Sequence, residues 1–356
     1  MVEGAGVKRH EKSKMADRAM QLRQETSKIL IAATILLIWI VIGRTALAGE
    51  PPARPVLAES SPAKPASKPA SVNPAPAKPA TTRVVVLGTG TPVPDPDRSG
   101  PAVAIVVNGR AYLVDCGPGV VRRAAAAEKN GISELLASTL NVVFITHLHS
   151  DHTLGYPDLI FTPWVMGRAA PLEAYGPHGL QSMTEHIEQA WAEDIHVRRE
   201  GLEQANATGY KVNVHEIEPG LVYRDDNVTV TAFLVKHGIW KEAYGYRFET
   251  KDRRIVIAGD TAPTDEVVKA CDGCDVLLHE VYNPKGDQLQ IPHWKEYFRT
   301  FHTSPAELGE IARRAHPKLL VVYHQVLLRL PEEDLAEQIR REYSGNWVMA
   351  KDLGVY

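Results

Sequence analysis

The chain has 356 residues, 44% of them hydrophobic, and a net charge of −3. This is ordinary globular composition, and nothing in the overall balance calls for nucleic acid or an anionic membrane. Residue usage is uneven, however. Residues 1–28 are polar and rich in Lys and Arg, whereas Ile29–Ile42, "ILIAATILLIWIVI", is unbroken and apolar. That run is shorter than the about 20 residues a spanning helix needs and suits the core of a secretory leader. Ala46-Leu47-Ala48 matches a small-x-small cleavage site, while Arg44 leaves an uncleaved single anchor open. Residues 1–48 are therefore expected to be a signal peptide or N-terminal membrane anchor, with the remainder exported, periplasmic or extracellular. Residues 49–82 are rich in Pro, Ala, Lys and Ser with almost no large apolar side chain, which predicts a disordered, semi-extended linker. The folded domain is expected over 83–356.

In chain order, Val84–Gly90, Ala102–Asn108 and Ala111–Gly117 are short β-rich runs between turn residues, and Gly119–Lys129 reads as a helix. Leu140–His147 is a fourth strand, and Pro157–Arg168 a helix with Pro at its first position. The strand Leu172–Pro177 precedes a long amphipathic helix within Gln181–Arg199. Strands are predicted over Tyr210–Ile217, Asn227–His237, Ala243–Thr250 and Arg253–Asp260. Then come Val276–Tyr282, a helix starting near Ser304, the strand Leu319–His324 and the helix Pro331–Tyr343. Strands clustered with helices in two similar halves predict an α/β fold of two packed sheets with helices outside. Cys271 and Cys274 form a CxxC with no second CxxC, which suits a local disulfide or two plain thiols better than a metal or redox site.

The chemistry concentrates in "HLHSDH", where His147, His149, Asp151 and His152 begin as an apolar strand ends. Crowded polar side chains are costly unless something compensates them. A single tetrahedral ion would use this run awkwardly, whereas two ions suit it. His147 and His149 would take the first, and Asp151 and His152 the second, with zinc preferred and manganese or iron as alternatives. Asp260 closes "RRIVIAGD", His237 closes "AFLVKH" and His324 closes "LLVVYH", so three further candidate ligands also sit at strand ends.

With "LGTGTPVPDPDRSG", "YLVDCGPG", "HGIWKEAYGYRF", "VIAGDT", "LLHE", "FHTS" and "VVYHQ", the chain resembles the metallo-β-lactamase-fold hydrolases over nearly all of 83–356. Within them it is most similar to the group of ribonuclease Z and the metal-dependent arylsulfatases. The resemblance implies an αββα sandwich of two mixed sheets with outer helices. It implies that His147, His149, His237 and Asp260 hold one ion and Asp151, His152, Asp260 and His324 the other, with a water between them as nucleophile. It makes Asp115 a support for the ligand loop, and Asp151, Glu280 and His302 the candidate catalytic residues. Glu280 would orient His302, which would protonate the leaving group; His279 is taken as structural.

"HTS" stands where ribonuclease Z commonly has "HST", no Gly/Pro-rich arm separates His152 from His237, and no PxKxRN loop lies between "GDT" and "LLHE". The expectation is therefore a binuclear hydrolase of small sulfate or phosphate esters, arylsulfatase-like. The alternative is a ribonuclease Z-like endoribonuclease or phosphodiesterase, with a lactonase or a non-catalytic metal-binding protein further off. The expected partner is a small anionic ester, with nucleic acid second, membrane contact only through an uncleaved leader, and a homodimer by analogy. Tyr156, Trp164, Trp240 and Tyr244 are expected near the site. Residues 283–301 are expected to form a lid carrying His293, Trp294, Lys295, Tyr297 and Arg299, its cations available to an anion.

Overall fold

The computed structural model describes residues 82–356; the leader, nearly all of the linker, and the export and anchor expectations tied to them lie outside the described residues. Among the described residues no helix is long and apolar enough to cross a membrane. The first sheet contains β1 (Arg83–Gly88), β2 (Ala102–Val107), β3 (Arg110–Val114), β4 (Val142–Phe144), β5 (Leu172–Gly176), β6 (Val212–Glu216) and β14 (Gly354–Val355), in the order β14-β1-β2-β3-β4-β5-β6. The second contains β7 (Gly220–Arg224), β8 (Thr229–Leu234), β9 (Tyr244–Glu249), β10 (Arg254–Ile257), β11 (Val276–Tyr282), β12 (Leu319–Val326) and β13 (Trp347–Met349), in sequence order from β7 to β13. Both sheets are mixed. β1, β2 and β3 pair antiparallel and β3 to β6 parallel, while β7 to β10 pair antiparallel and β10 to β13 parallel.

Central strands covered on both faces are apolar along their whole length. In β1, Val84 and Val86 pack between the sheets, where Phe144, Tyr246 and Tyr323 also lie, while Val85 and Leu87 pack outward. Outside the first sheet lie α1 (Val120–Lys129), α3 (Tyr156–Val165) and α4 (Leu180–Ala190); outside the second lie α6 (Asp265–Cys271), α8 (Pro305–Ala315) and α9 (Glu332–Glu342). The result is the expected αββα sandwich.

The structure corrects several expectations. The helix within Gln181–Arg199 is two helices, α4 and α5 (Ala192–Glu200), broken where the Trp191 ring stacks on Phe161 at 5.5 Å. Tyr156, Trp164 and Tyr244 are core residues rather than site residues. Their polar ends meet Thr184, the Asn206 carbonyl and the Ile217 carbonyl respectively, which lets the rings be buried. Helix α6 and the strands β7, β13 and β14 were not anticipated. Much of the expected lid segment is helix α7 (Pro292–Phe301), on which His293, Trp294, Lys295 and Arg299 are exposed and Tyr297 is half-buried. Cys271 and Cys274 are joined by a disulfide, and Cys116 is free and buried.

Helix α3 shows how sequence defects are repaired. Pro163 has no N–H, so the Leu159 carbonyl one turn earlier lacks its usual partner. Arg168, fully buried just past the helix, donates to the Leu159 carbonyl at 3.0 Å, to Ile160 at 2.7 Å, to Leu140 at 2.9 Å and to Gly209 at 2.9 Å.

Candidate metal centre

The candidate ligands stand where strands give way to other structure. The strand carrying the histidine run ends at Phe144 rather than His147, because Asp115 Oδ1 captures the Thr146 N–H at 2.8 Å. His147 lies in the turn that follows; His149 caps α2 (Ser150–Thr153), whose single turn carries Asp151 and His152. His237 follows β8 and Asp260 follows β10. Glu280 and His324 instead lie inside β11 and β12, where the ladder slips: His279 pairs with Val322 but Val281 with Gln325. His324 takes up the extra residue at φ 42°, a left-handed conformation that costs a non-glycine residue about 1–3 kcal/mol. Such a bulge re-aims side chains, and here it turns His324 onto Asp260.

Three nitrogens converge first: His149 Nδ1 lies 2.9 Å from His147 Nε2 and 3.1 Å from His237 Nε2. A second group is Asp151, His152 and His324, with Asp151 Oδ2 3.7 Å from the Nε2 of each histidine. Asp260 lies between the groups, Oδ2 at 3.0 Å from His324 Nε2 and Oδ1 at 3.5 Å from His152 Nε2, and it also clusters with His147. The structure thus brings together every ligand candidate read from the sequence.

The outward nitrogens are all spoken for. His152 Nδ1 donates to Asp115 Oδ2 at 2.8 Å, His237 Nδ1 to the Phe301 carbonyl at 2.8 Å, and His324 Nδ1 to the Gly90 carbonyl at 2.7 Å. The Thr146 hydroxyl gives its proton to Asp115 and accepts from His147 Nδ1 at 3.0 Å. Such partners fix ring orientation and tautomer, aiming Nε2 inward.

Electrostatics divides the centre. Burial holds His147 well below its ordinary value and lowers His149, and it takes His237 down to about 4. Burial would do the same to His152 and His324, but Asp260 and its neighbouring carboxylates outweigh it, raising His152 well above the ordinary value and His324 to about 9. Burial opposes charge on Asp260 too, yet His324 and His152 hold it well below the usual carboxylate range. One side therefore offers lone pairs and the other favours positive charge. His152 Nε2, Asp151 Oδ2 and Asp260 Oδ1 are buried and have no hydrogen-bond partner. Orphaned buried polar atoms are expensive, and these converge in donor types that suit zinc. The residues fit a metal centre.

Beside it, Glu280 Oε1 accepts from His302 Nδ1 at 3.1 Å and from the Thr261 and Thr303 N–H groups at 3.2 and 3.3 Å. Burial and then Asp260 hold Glu280 well above its usual range, and burial takes His302 down to about 4. Burial thus favours the uncharged form of both partners. His302 also clusters with His237 and Asp260, closer to the ligands than the sequence suggested. Sequence reasoning missed Thr146, Thr261, Thr303 and Phe301, whose contributions are a hydroxyl or backbone groups and leave no residue-type signature.

A Beta-lactamase superfamily domain model matches residues 110–325. Ribonuclease Z of Mycobacterium bovis is 35% identical over 276 residues, covering 76% of this chain and 96% of that protein. The chain is a ribonuclease Z-like member of the metallo-β-lactamase superfamily. Among solved structures, human tRNase Z, short form, aligns with TM-score 0.57 and 26% identity over 77% of this chain and 98% of its own. The metallo-β-lactamase fold protein YhfI from Bacillus subtilis aligns with TM-score 0.60 and 19% identity over 78% and 99%, a likeness of fold alone. For this ribonuclease Z-like chain, the relatives favour the phosphodiester alternative over the arylsulfatase-like expectation.

Proposed function

We propose that the chain is a two-metal phosphodiesterase of the ribonuclease Z kind. The observation that carries this reading is Asp260, which clusters with His147 and His237 of one candidate group and with His152 and His324 of the other. His147, His149, His237 and Asp260 would hold one zinc ion and Asp151, His152, Asp260 and His324 the other, with manganese or iron as alternatives. Two such ions lower the pKa of a shared water and offset the charge of an anionic ester. The chain's own residues do the rest. Asp115, Thr146 and the Phe301 and Gly90 carbonyls keep the ring lone pairs aimed inward. Glu280, held by two backbone N–H groups, orients His302, and the pair delivers a proton to the departing oxygen.

The test is turnover by zinc-loaded protein of precursor tRNA, bis(p-nitrophenyl) phosphate and p-nitrophenyl sulfate. Diester cleavage is expected; turnover of the sulfate alone would restore the arylsulfatase-like reading, and inertness toward all three would reject both. His302→Ala should cost about 10²–10⁴-fold with poor leaving groups, less with good ones, and leave bound metal unchanged. Equal losses for both classes would count against the acid role.

The apolar run Ile29–Ile42 favours a second reading of the same chemistry, an exported phosphodiesterase of small esters. Helices α4 and α5 occupy the interval between His152 and His237, and Arg198 there is committed to Asp194 and Glu203. Activity on the small diester without activity on precursor tRNA would support this version.

A further inference from the structure

Helix α7 brings a row of aromatic side chains to the candidate centre, and its C-terminal end is fastened there. The Phe301 carbonyl accepts from His237 Nδ1 at 2.8 Å, and the Thr300 carbonyl accepts from the Gly238 N–H at 3.0 Å. Gly238, at φ 57°, leaves room for the Phe301 ring, which a Cβ would meet at 1.9 Å. Residues three and four apart share a helix face. Tyr297 accordingly stacks on Phe301, with centroids 4.4 Å apart and planes at 20°, and meets the Trp294 ring edge-on at 5.5 Å. Held by these neighbours, the Tyr297 ring lies 5.7 Å from the ring of His302.

The cations of the same helix are turned elsewhere. Lys295 and Arg299 are exposed, and Arg299 is paired with Glu296. Tyr297 is the polar side chain of α7 that faces the centre. Among the described residues its hydroxyl has no hydrogen-bond partner, and it is not sealed from solvent. The phenols of Tyr156, Tyr244 and Tyr246, by contrast, are each satisfied within the core. Burial, and then the charges of Asp260, Asp151 and Glu280, push the Tyr297 phenol up to about 12. It therefore keeps its proton and serves as a hydrogen-bond donor rather than an acid.

We propose that Tyr297 is a catalytic residue whose hydroxyl donates a hydrogen bond to a non-bridging oxygen of the diester phosphate, beside the leaving oxygen that His302 protonates. The proton stays on the phenol throughout, and the donor meets the negative charge spread over those oxygens in the transition state. This rests on the phosphodiesterase reading above, and its test separates the two.

The Tyr297→Phe protein keeps the stacked ring and loses the donor. Zinc-loaded variant and wild type are compared on bis(p-nitrophenyl) phosphate, which has a good leaving group, and on methyl phenyl phosphate, which has a poorer one. The variant's kcat/KM should fall about 10- to 100-fold, the worth of one hydrogen bond to a charged group, by the same factor on both substrates. Its zinc content should be unchanged. Equal losses would set Tyr297 apart from His302, whose removal costs more as the leaving group worsens. An unchanged kcat/KM overturns the proposal, and so does loss of zinc. A loss that grows with the poorer leaving group also overturns it, since Tyr297 would then act only through His302. If the wild type cleaves neither small diester, precursor tRNA takes their place and the loss on it decides; inertness there too rejects the phosphodiesterase reading, and the proposal with it. Should Tyr297→Phe not fold, tetrafluorotyrosine at position 297 replaces it. Its more acidic phenol should ionise as pH rises and add an alkaline loss of activity that the wild type lacks; an unchanged pH profile overturns the proposal.

Discussion

Asp115 sits at φ 59°, in the left-handed region that Asn and Asp enter more readily than bulkier residues, and both of its oxygens are engaged. Oδ1 takes the Thr146 N–H, and Oδ2 takes the His152 Nδ1–H. Asn keeps the size and tolerates the backbone, but its amide turns one acceptor into a donor that meets either N–H head-on. Asp115→Asn should therefore fold normally and hold zinc about 10- to 100-fold more weakly, as measured by metal content after dialysis against a chelator of known affinity. Unchanged retention would remove Asp115 from its orienting role. The position was readable as a family support residue from "VDCGPG". What it supports was not, because the bonds to Thr146 and His152 span a stretch of chain that no local pattern covers.

At the scale of elements, local signals located most strands and helices and misjudged how they end. Helix α3 was read over 157–168 and runs Tyr156–Val165, with Gly167 at φ 100° marking its stop. The periodicity could not show that Arg168 would be swallowed whole to satisfy four carbonyls. Burial holds its guanidinium down to about 10, still charged at neutral pH. Arg168→Met would fill much of the space and leave those carbonyls unpaired, each at about 1–3 kcal/mol. A loss of about 3 kcal/mol or more is expected in urea unfolding, with turnover per folded molecule unchanged. A loss under about 1 kcal/mol would mean that water or backbone shifts replace the guanidinium.

For the whole molecule, buried histidines set how stability follows pH. Burial holds His237, His279 and His302 at about 4, against 6.5 for a free side chain. Below 6.5 the unfolded chain binds protons that the folded chain refuses. Their contribution is therefore complete above about pH 6.5 and is lost as pH falls toward 4. His324, where Asp260 overcomes burial to reach about 9, works the other way: its contribution is complete below about 6.5 and is lost as pH rises through 9. Chelator-treated protein should melt highest near pH 6.5 and lower on both sides, which thermal melts from pH 4 to 9.5 would check. A melting temperature that climbs on acidification from 6.5 to 4 would contradict the buried, neutral histidines. Zinc should raise the melting temperature most at neutral to alkaline pH, since the ion competes with protons for the same rings.

By itself the sequence determined the two-sheet α/β architecture and the candidate ligands. Strand alternation, apolar runs and the donor chemistry of His and Asp are local properties of residue type and spacing. Only the tertiary structure decided which ring nitrogen faces the centre, since the partners that fix this come from remote strands: Asp115 for His152, the Phe301 carbonyl for His237, the Gly90 carbonyl for His324. It also sorted the aromatics, burying Tyr156, Trp164 and Tyr244 and setting Trp240 against His149. An aromatic side chain is equally at home in a core or at a site, and what separates the two is whether a neighbour from elsewhere in the chain satisfies its polar edge.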